Sequence, residues 1–298
     1  MATTSTKPKN YLNNKDILKE IHESKTSYCY FADPSYHKYD FIIDTPQEAL
    51  EKSLELIMQP ETLAQAKEAR ASRLSIETGT KINSEDIPIT DLMFRVMTWD
   101  HIPVSQKQPR KTYKKKTAKD ILEFELVVED DDVFAELEDP INKEYVDDMV
   151  HVKVNFPPFQ HFKVDSNNSF YCVGKSHWKG DLINGEFCKD HGQITNKLAR
   201  MYIMLCEKYA MKYNWRGYTY REDMQNSAIL QLTYVGLRFN EAKSQNPFAY
   251  YTAAVTNSFC RILNIEKRSQ NIRDDLLELN GLNPSWSRQN TSSTSYEE

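Results

Sequence analysis

Glycine is scarce, with 8 in 298 residues. No GxxxxGK[ST] or GxGxxG pattern occurs, so the sequence lacks the loops that cradle nucleotide phosphates. It also has no apolar run of about 18 residues, and no apolar segment opens the chain. Both absences argue against a membrane span or a secretory leader. The five cysteines, Cys29, Cys172, Cys188, Cys206 and Cys260, form no obvious disulfide framework and fit a reducing compartment. The acids Glu129–Asp132 are consecutive, which suits a solvated run better than a catalytic pair.

What the sequence does have is helical periodicity between Ile194 and Arg273. Ile194, Leu198, Met201, Tyr202, Leu205 and Tyr209 make one stripe. Gly217 then suits a chain reversal. Thr219 with Glu222 three residues on is a capping-box pattern for a second helix. Met224, Ala228, Leu232 and Val235 lie on its face, and Phe239-Asn240 end it. The third helix has Asn246 as N-cap and Pro247 at its first position. Phe248, Tyr251, Val255, Phe259 and Ile262 keep its spacing.

Charge sets the same stretch apart. Lys189 to Arg273 holds 13 Lys and Arg against 6 Asp and Glu, a balance of +7 in a chain of −5. That is either a solvated basic face or the footprint of an anionic partner, nucleic acid first. Aromatics at the start of the third helix favour the second: rings stack on unpaired bases while cations follow phosphate. Phe248, Tyr251 and Phe259 share a face and are the core candidates. Tyr250 falls off that face and is the candidate for DNA.

Upstream, Asn14 to His22 starts a short helix, and Pro46 to Thr80 is helix-rich with Leu50, Leu54 and Ile57 aligned. Thr90–Trp99 has no clear period. From Lys107 to Lys119, 7 of 13 residues are basic; from Glu123 to Asp148, 12 of 26 are acidic. Such blocks read as a solvated linker, or as an acidic mimic of nucleic acid beside an added basic DNA contact. His151–Val164 alternates like a strand or two. Cys172, His177, Cys188 and His191 follow with spacing C-x4-H-x10-C-x2-H. They read either as four ligands of a structural zinc, with Asp190 as a competitor, or as buried cysteines in a hairpin turning at Gly180 and Gly185.

Two blocks of sequence resemble a known family. They are Lys7-Pro-Lys-Asn-Tyr-Leu-Asn-Asn-Lys15-Asp-Ile-Leu and the stretch from Asn196 to about Leu277, including Arg216-Gly-Tyr-Thr219 and Asn246-Pro247. Together, over roughly a third of the chain, they resemble the late-transcription sigma factors of T-even-type bacteriophages, in a marine or cyanobacterial branch with a large insert. The resemblance implies a mainly α fold, with a sigma-factor domain 2-like three-helix module at the C-terminal end and a mixed α+β insert between residues ~30 and 190. The implied divisions are 1–28, 29–106, 107–150, 151–192, 193–277 and a flexible tail, 278–298.

It further implies a non-enzymatic factor in the bacterial host cytoplasm. Such a factor takes RNA polymerase core to late promoters and opens an A-T-rich −10-like element. Asp223, Asn226, Ser227 and Leu230 would meet the clamp helices of the polymerase β′ subunit. Tyr250, Asn257, Arg261, Lys267 and Arg268 would meet promoter DNA. Unstacking costs a few kcal/mol per base, and capture by stacking returns roughly 1–3 kcal/mol per base. A phage co-activator or the sliding clamp are further implied partners, although Ser287–Glu298 lacks the family's hydrophobic-acidic clamp peptide. Two other readings stand beside this one: a metal-dependent nucleic-acid-processing enzyme, and a polymerase adaptor that does not touch DNA.

Overall fold

The computed structural model describes residues 12–45, 50–106 and 149–293. The chain divides into a large unit, residues 1–100 with 154–298, and a small one, residues 101–153. In the small unit β4 (Val104–Gln106) pairs antiparallel with β5 (Met149–His151). The basic and acidic runs lie outside the described residues, as do Lys7–Tyr11 of the opening motif.

The large unit is mainly α, with a mixed five-stranded sheet in the order β1-β7-β6-β3-β2. Its strands are β1 (Cys29–Phe31), β2 (Phe41–Asp44), β3 (Phe94–Met97), β6 (Phe159–Val164) and β7 (Phe170–Ser176). Only β2 and β3 run parallel. β3 is buried along its whole length, which is why Thr90–Trp99 shows no alternation: a strand covered on both faces has no polar side to display. The sheet runs across two of the divisions named above, 29–106 and 151–192: β1 pairs with β7 and β3 with β6.

The helix-rich stretch expected from Pro46 to Thr80 holds α2 (Leu50–Ile57) and α3 (Pro60–Thr78). They cover one sheet face, where Ile57, Ala66 and Ala71 pack with Phe94, Val96, Phe162 and Val164. A short hairpin, β8 (Trp178–Lys179) with β9 (Glu186–Phe187), follows β7. Gly180 turns it at φ 101°, a left-handed conformation that glycine takes without strain.

The C-terminal helices are α4 (Asn196–Ala210), α5 (Arg221–Val235), α6 (Pro247–Leu279) and α7 (Trp286–Ser293). Caps set two of the starts. Thr195 Oγ1 accepts from Leu198 N at 3.2 Å, and Asn246 Oδ1 from Ala249 N at 3.1 Å with Pro247 behind it. The Thr219–Glu222 capping box does not form: α5 starts at Arg221, and its N-cap Tyr220 makes no side-chain bond. The expected stripes do form the core, with Leu198, Tyr202, Leu205, Met224, Ala228, Leu232, Tyr251, Val255 and Phe259 buried.

α5 and α6 are antiparallel in a fixed register. Tyr250 bonds Val235 O, and Ser258 bonds Ser227. That register sets Arg221, the first residue of α5, opposite Asn264. The 33 residues of α6 span about 50 Å at 1.5 Å each, so its second half runs on past α5. It stops at Gly281 (φ 71°), where Gly281 N bonds Glu278 O and Leu282 N bonds Leu277 O.

α1 (Asn14–Thr26) joins the sheet to these helices through buried polar groups. Lys25 Nζ donates to Phe239 O and to Glu241 Oε2, both at 2.7 Å, and is 1% exposed. Burial pulls the Lys25 amine down, and Glu241 opposes this; Lys25 and Arg95 together hold the buried Glu241 carboxyl below its usual value despite burial. Toward the sheet, His22 Nδ1 accepts from Arg95 Nη2 at 3.1 Å. Arg95 is buried between the Tyr39 and Phe159 rings at 4.0 and 3.9 Å, and its Nε donates to His161 Nε2 at 2.9 Å. His161 Nδ1 then donates to Tyr36 O. Both imidazoles are neutral acceptors here. Burial first, and Arg95 second, bring His22 down to about 2 and His161 well below its usual value.

Candidate functional site

α5 carries the first set of predicted contacts. Asp223, Asn226 and Leu230 lie three and four residues apart, on one face, and all are exposed. Glu222 and Asp223 stand in the first turn, where carboxylates complement the helix dipole. Leu230 is 56% exposed, and Tyr234 one turn on is 59% exposed. Sequence reading missed Tyr234; the signal for it was an apolar pair on the face away from Met224 and Ala228. Ser227 does not belong to this face. It turns inward and accepts from Ser258 Oγ at 3.1 Å on α6.

α6 carries the second set. Tyr250, Asn257, Arg261 and Arg268 are seven, four and seven residues apart, so they align along the helix. Asn257 and Arg268 are exposed and Arg261 half-buried. Lys267 is exposed but sits about a quarter turn away.

The two aromatics exchange their expected places. Tyr250 is half-buried, its ring 5.6 Å from Phe239 and its hydroxyl donating to Val235 O at 3.0 Å. Burial raises that hydroxyl's pKa. Phe248, expected in the core, is 40% exposed. Its position lies past the level at which α5 ends, beside the start of α1, where its backbone N donates to Asn14 Oδ1 at 3.1 Å. Phe248, not Tyr250, is thus the open ring at the start of α6.

The Cys and His quartet is divided. Cys172 packs on the apolar cluster beneath α2 and α3, and its thiol, raised by burial, donates to Gly174 O. His177 is buried with its ring 4.1 Å from Phe156, at a positive φ of 52°. Cys188 N donates to His177 O, and His191 Nδ1 bonds Cys188 O at 3.0 Å. The Tyr28 ring packs against both histidines. Among the described residues no three His, Cys, Asp or Glu side chains group as metal ligands. None of the five cysteines is in a disulfide.

Among the described residues no helix is long and apolar enough to cross a membrane. No protein-family model, curated protein or solved structure matches the chain.

Proposed function

We propose that this chain is a phage-encoded, sigma-like initiation factor that acts in the bacterial host cytoplasm. It docks on RNA polymerase core through α5 and meets promoter DNA along α6. The observation that carries this reading is the exposed α5 face: acidic at Glu222 and Asp223, then apolar at Leu230 and Tyr234. An ordinary solvated helix face is mainly polar, with apolar residues scattered singly. Two large apolar side chains beside a fixed acidic end suit a protein partner that itself offers an apolar and basic surface.

On α6, Asn257, Arg261 and Arg268 would hold the phosphates and edges of an opened A-T-rich strand, and Phe248 would stack on an unpaired base. The factor captures bases and supplies no catalytic group of its own. One observation favours a second reading, a polymerase adaptor without DNA contact: Tyr250 spends its hydroxyl inside the fold.

Co-purification with bacterial core RNA polymerase tests the reading. The wild type should bind, and Asp223→Arg or Leu230→Glu should weaken binding at least tenfold, about 1.4 kcal/mol. Phe248→Ala with Arg268→Ala should leave binding intact and reduce promoter opening. Unchanged opening would select the adaptor. No binding by the wild type to its cognate core would overturn the proposal.

A further inference from the structure

The second half of α6 keeps its apolar period after its neighbours end. Ile262, Ile265, Ser269, Ile272, Leu276 and Leu279 alternate in steps of three and four, a heptad seam. Ile262 is half-buried at the edge of the helical core; beyond it the seam is open, with Ile272 45% and Leu279 82% exposed. α7 does not cover it. That short helix and the turn before it sit on the opposite side of α6. Gln270 donates to Ser285 and Ser287 there, Ser285 bonds Asp274, and Arg288 pairs with Asp275 at 2.6 Å.

We infer that the seam pairs with a second copy of this chain, antiparallel. Charge decides the occupant and its direction. With a at Ile262, the flanking e positions are Glu266, Arg273 and Asn280, and the g positions are Arg261, Arg268 and Asp275. In an antiparallel pair e faces e and g faces g. Setting Ile262 against Leu279, Ile265 against Leu276 and Ser269 against Ile272 brings Glu266 to Arg273 of the second copy, and Arg268 to its Asp275. Both contacts are of opposite sign, and symmetry repeats each one. The parallel arrangement sets Arg261 against Glu266 of the second copy, which attracts, but Arg268 against its Arg273, which repels, so it keeps one favourable contact where the antiparallel pair has two.

The geometry permits the antiparallel register. Each copy's core ends near the level of residue 264, opposite residue 277 of the other copy, so the layers from Ile265 to Leu276 are clear and Leu279 abuts the other copy's core at Ile262. Asp275 keeps 57% of its side chain exposed while it holds Arg288, so it can take a second cation. The overlap is short, and such an interface lies below about 1,200 Å², where association is weak and reversible. Ser269 in the central layer weakens it further. This inference does not depend on the sigma-like reading.

Sedimentation of the full chain over a concentration series tests it. The mass should climb from 34.8 kDa toward twice that value. Ile272→Glu with Leu276→Glu should hold it at the monomer, and Ser269→Leu should tighten pairing about tenfold. Arg273→Glu is the discriminating variant. It sets Glu against Glu in the antiparallel pair and should weaken it several-fold; adding Glu266→Arg should restore wild-type affinity. Tighter pairing by Arg273→Glu alone would overturn the antiparallel assignment. A wild type that stays monomeric throughout would overturn self-pairing and leave the seam to a foreign helix.

Discussion

The two faces of the sheet are held by opposite chemistry. Beneath α2 and α3, Ile57, Ala66, Phe94, Val96, Phe162 and Val164 make an apolar cluster. Beneath α1, Arg95, His161, His22, Lys25 and Glu241 are linked by hydrogen bonds and charge. Apolar burial is additive and non-directional, at roughly 25 cal/mol per Å². Buried charges give little net stability but leave a large penalty when one partner is lost. The first face therefore supplies strength. The second fixes where α1 must sit, and with it the joint between the sheet and the helices that carry the proposed contacts.

The largest break in that comparison comes from Lys25→Met. It strands the Glu241 carboxylate and the Phe239 carbonyl in a closed site. Urea unfolding should show a loss of about 3–5 kcal/mol. Replacing both partners, Lys25→Met with Glu241→Leu, should recover most of it. If the double variant is no more stable than the single one, the Lys25–Glu241 pair is not what the joint depends on.

Lowering the pH should separate the faces next. His22 and His161 stay neutral in the folded chain because burial and Arg95 oppose a second cation. Unfolded, each takes a proton below about 6.5. The unfolded state then binds more protons, so stability is complete above that pH and falls below it. The slope is about 1.4 kcal/mol per pH unit for each histidine. Glu241 adds its own loss only lower down, as the pH falls through its depressed folded value. Urea midpoints at pH 7.5 and 5.5 should therefore differ by about 2–3 kcal/mol in stability, and His22→Asn should flatten the slope by about half. A wild type with equal midpoints would mean that these rings are open to water and can be protonated in place.

Local chemistry was legible in the sequence and long-range chemistry was not. The Asn246-Pro247 start of α6 is written in adjacent residues, and so is the stripe of α4. The Lys25–Glu241 pair joins positions 216 residues apart in segments that read as polar surface. Its nearest warning was a lone Arg95 inside Leu92-Met-Phe-Arg-Val-Met97. Helical spacing placed Phe248 on the core face, but could not show that α5 stops short of it. The Cys and His spacing likewise did not show that Cys172 packs on the apolar cluster and His177 on Phe156.

The smallest expected effect sharpens the contrast most cleanly. Ile57 is fully buried against the apolar cluster, and Ile57→Val removes one methylene there. The cost should be about 0.5–1.5 kcal/mol, the range for a cavity that partly relaxes. The cluster around it is apolar apart from the Cys172 thiol, which burial keeps protonated at both pH values, so the cost should be the same at pH 7.5 and 5.5. It should also add to that of Lys25→Met within about 0.5 kcal/mol, since the two sites share no partner. Stronger coupling in a double-mutant cycle would mean that strain crosses the sheet through β3 and β6, which lend Phe94, Val96, Phe162 and Val164 to one face and Arg95 and His161 to the other.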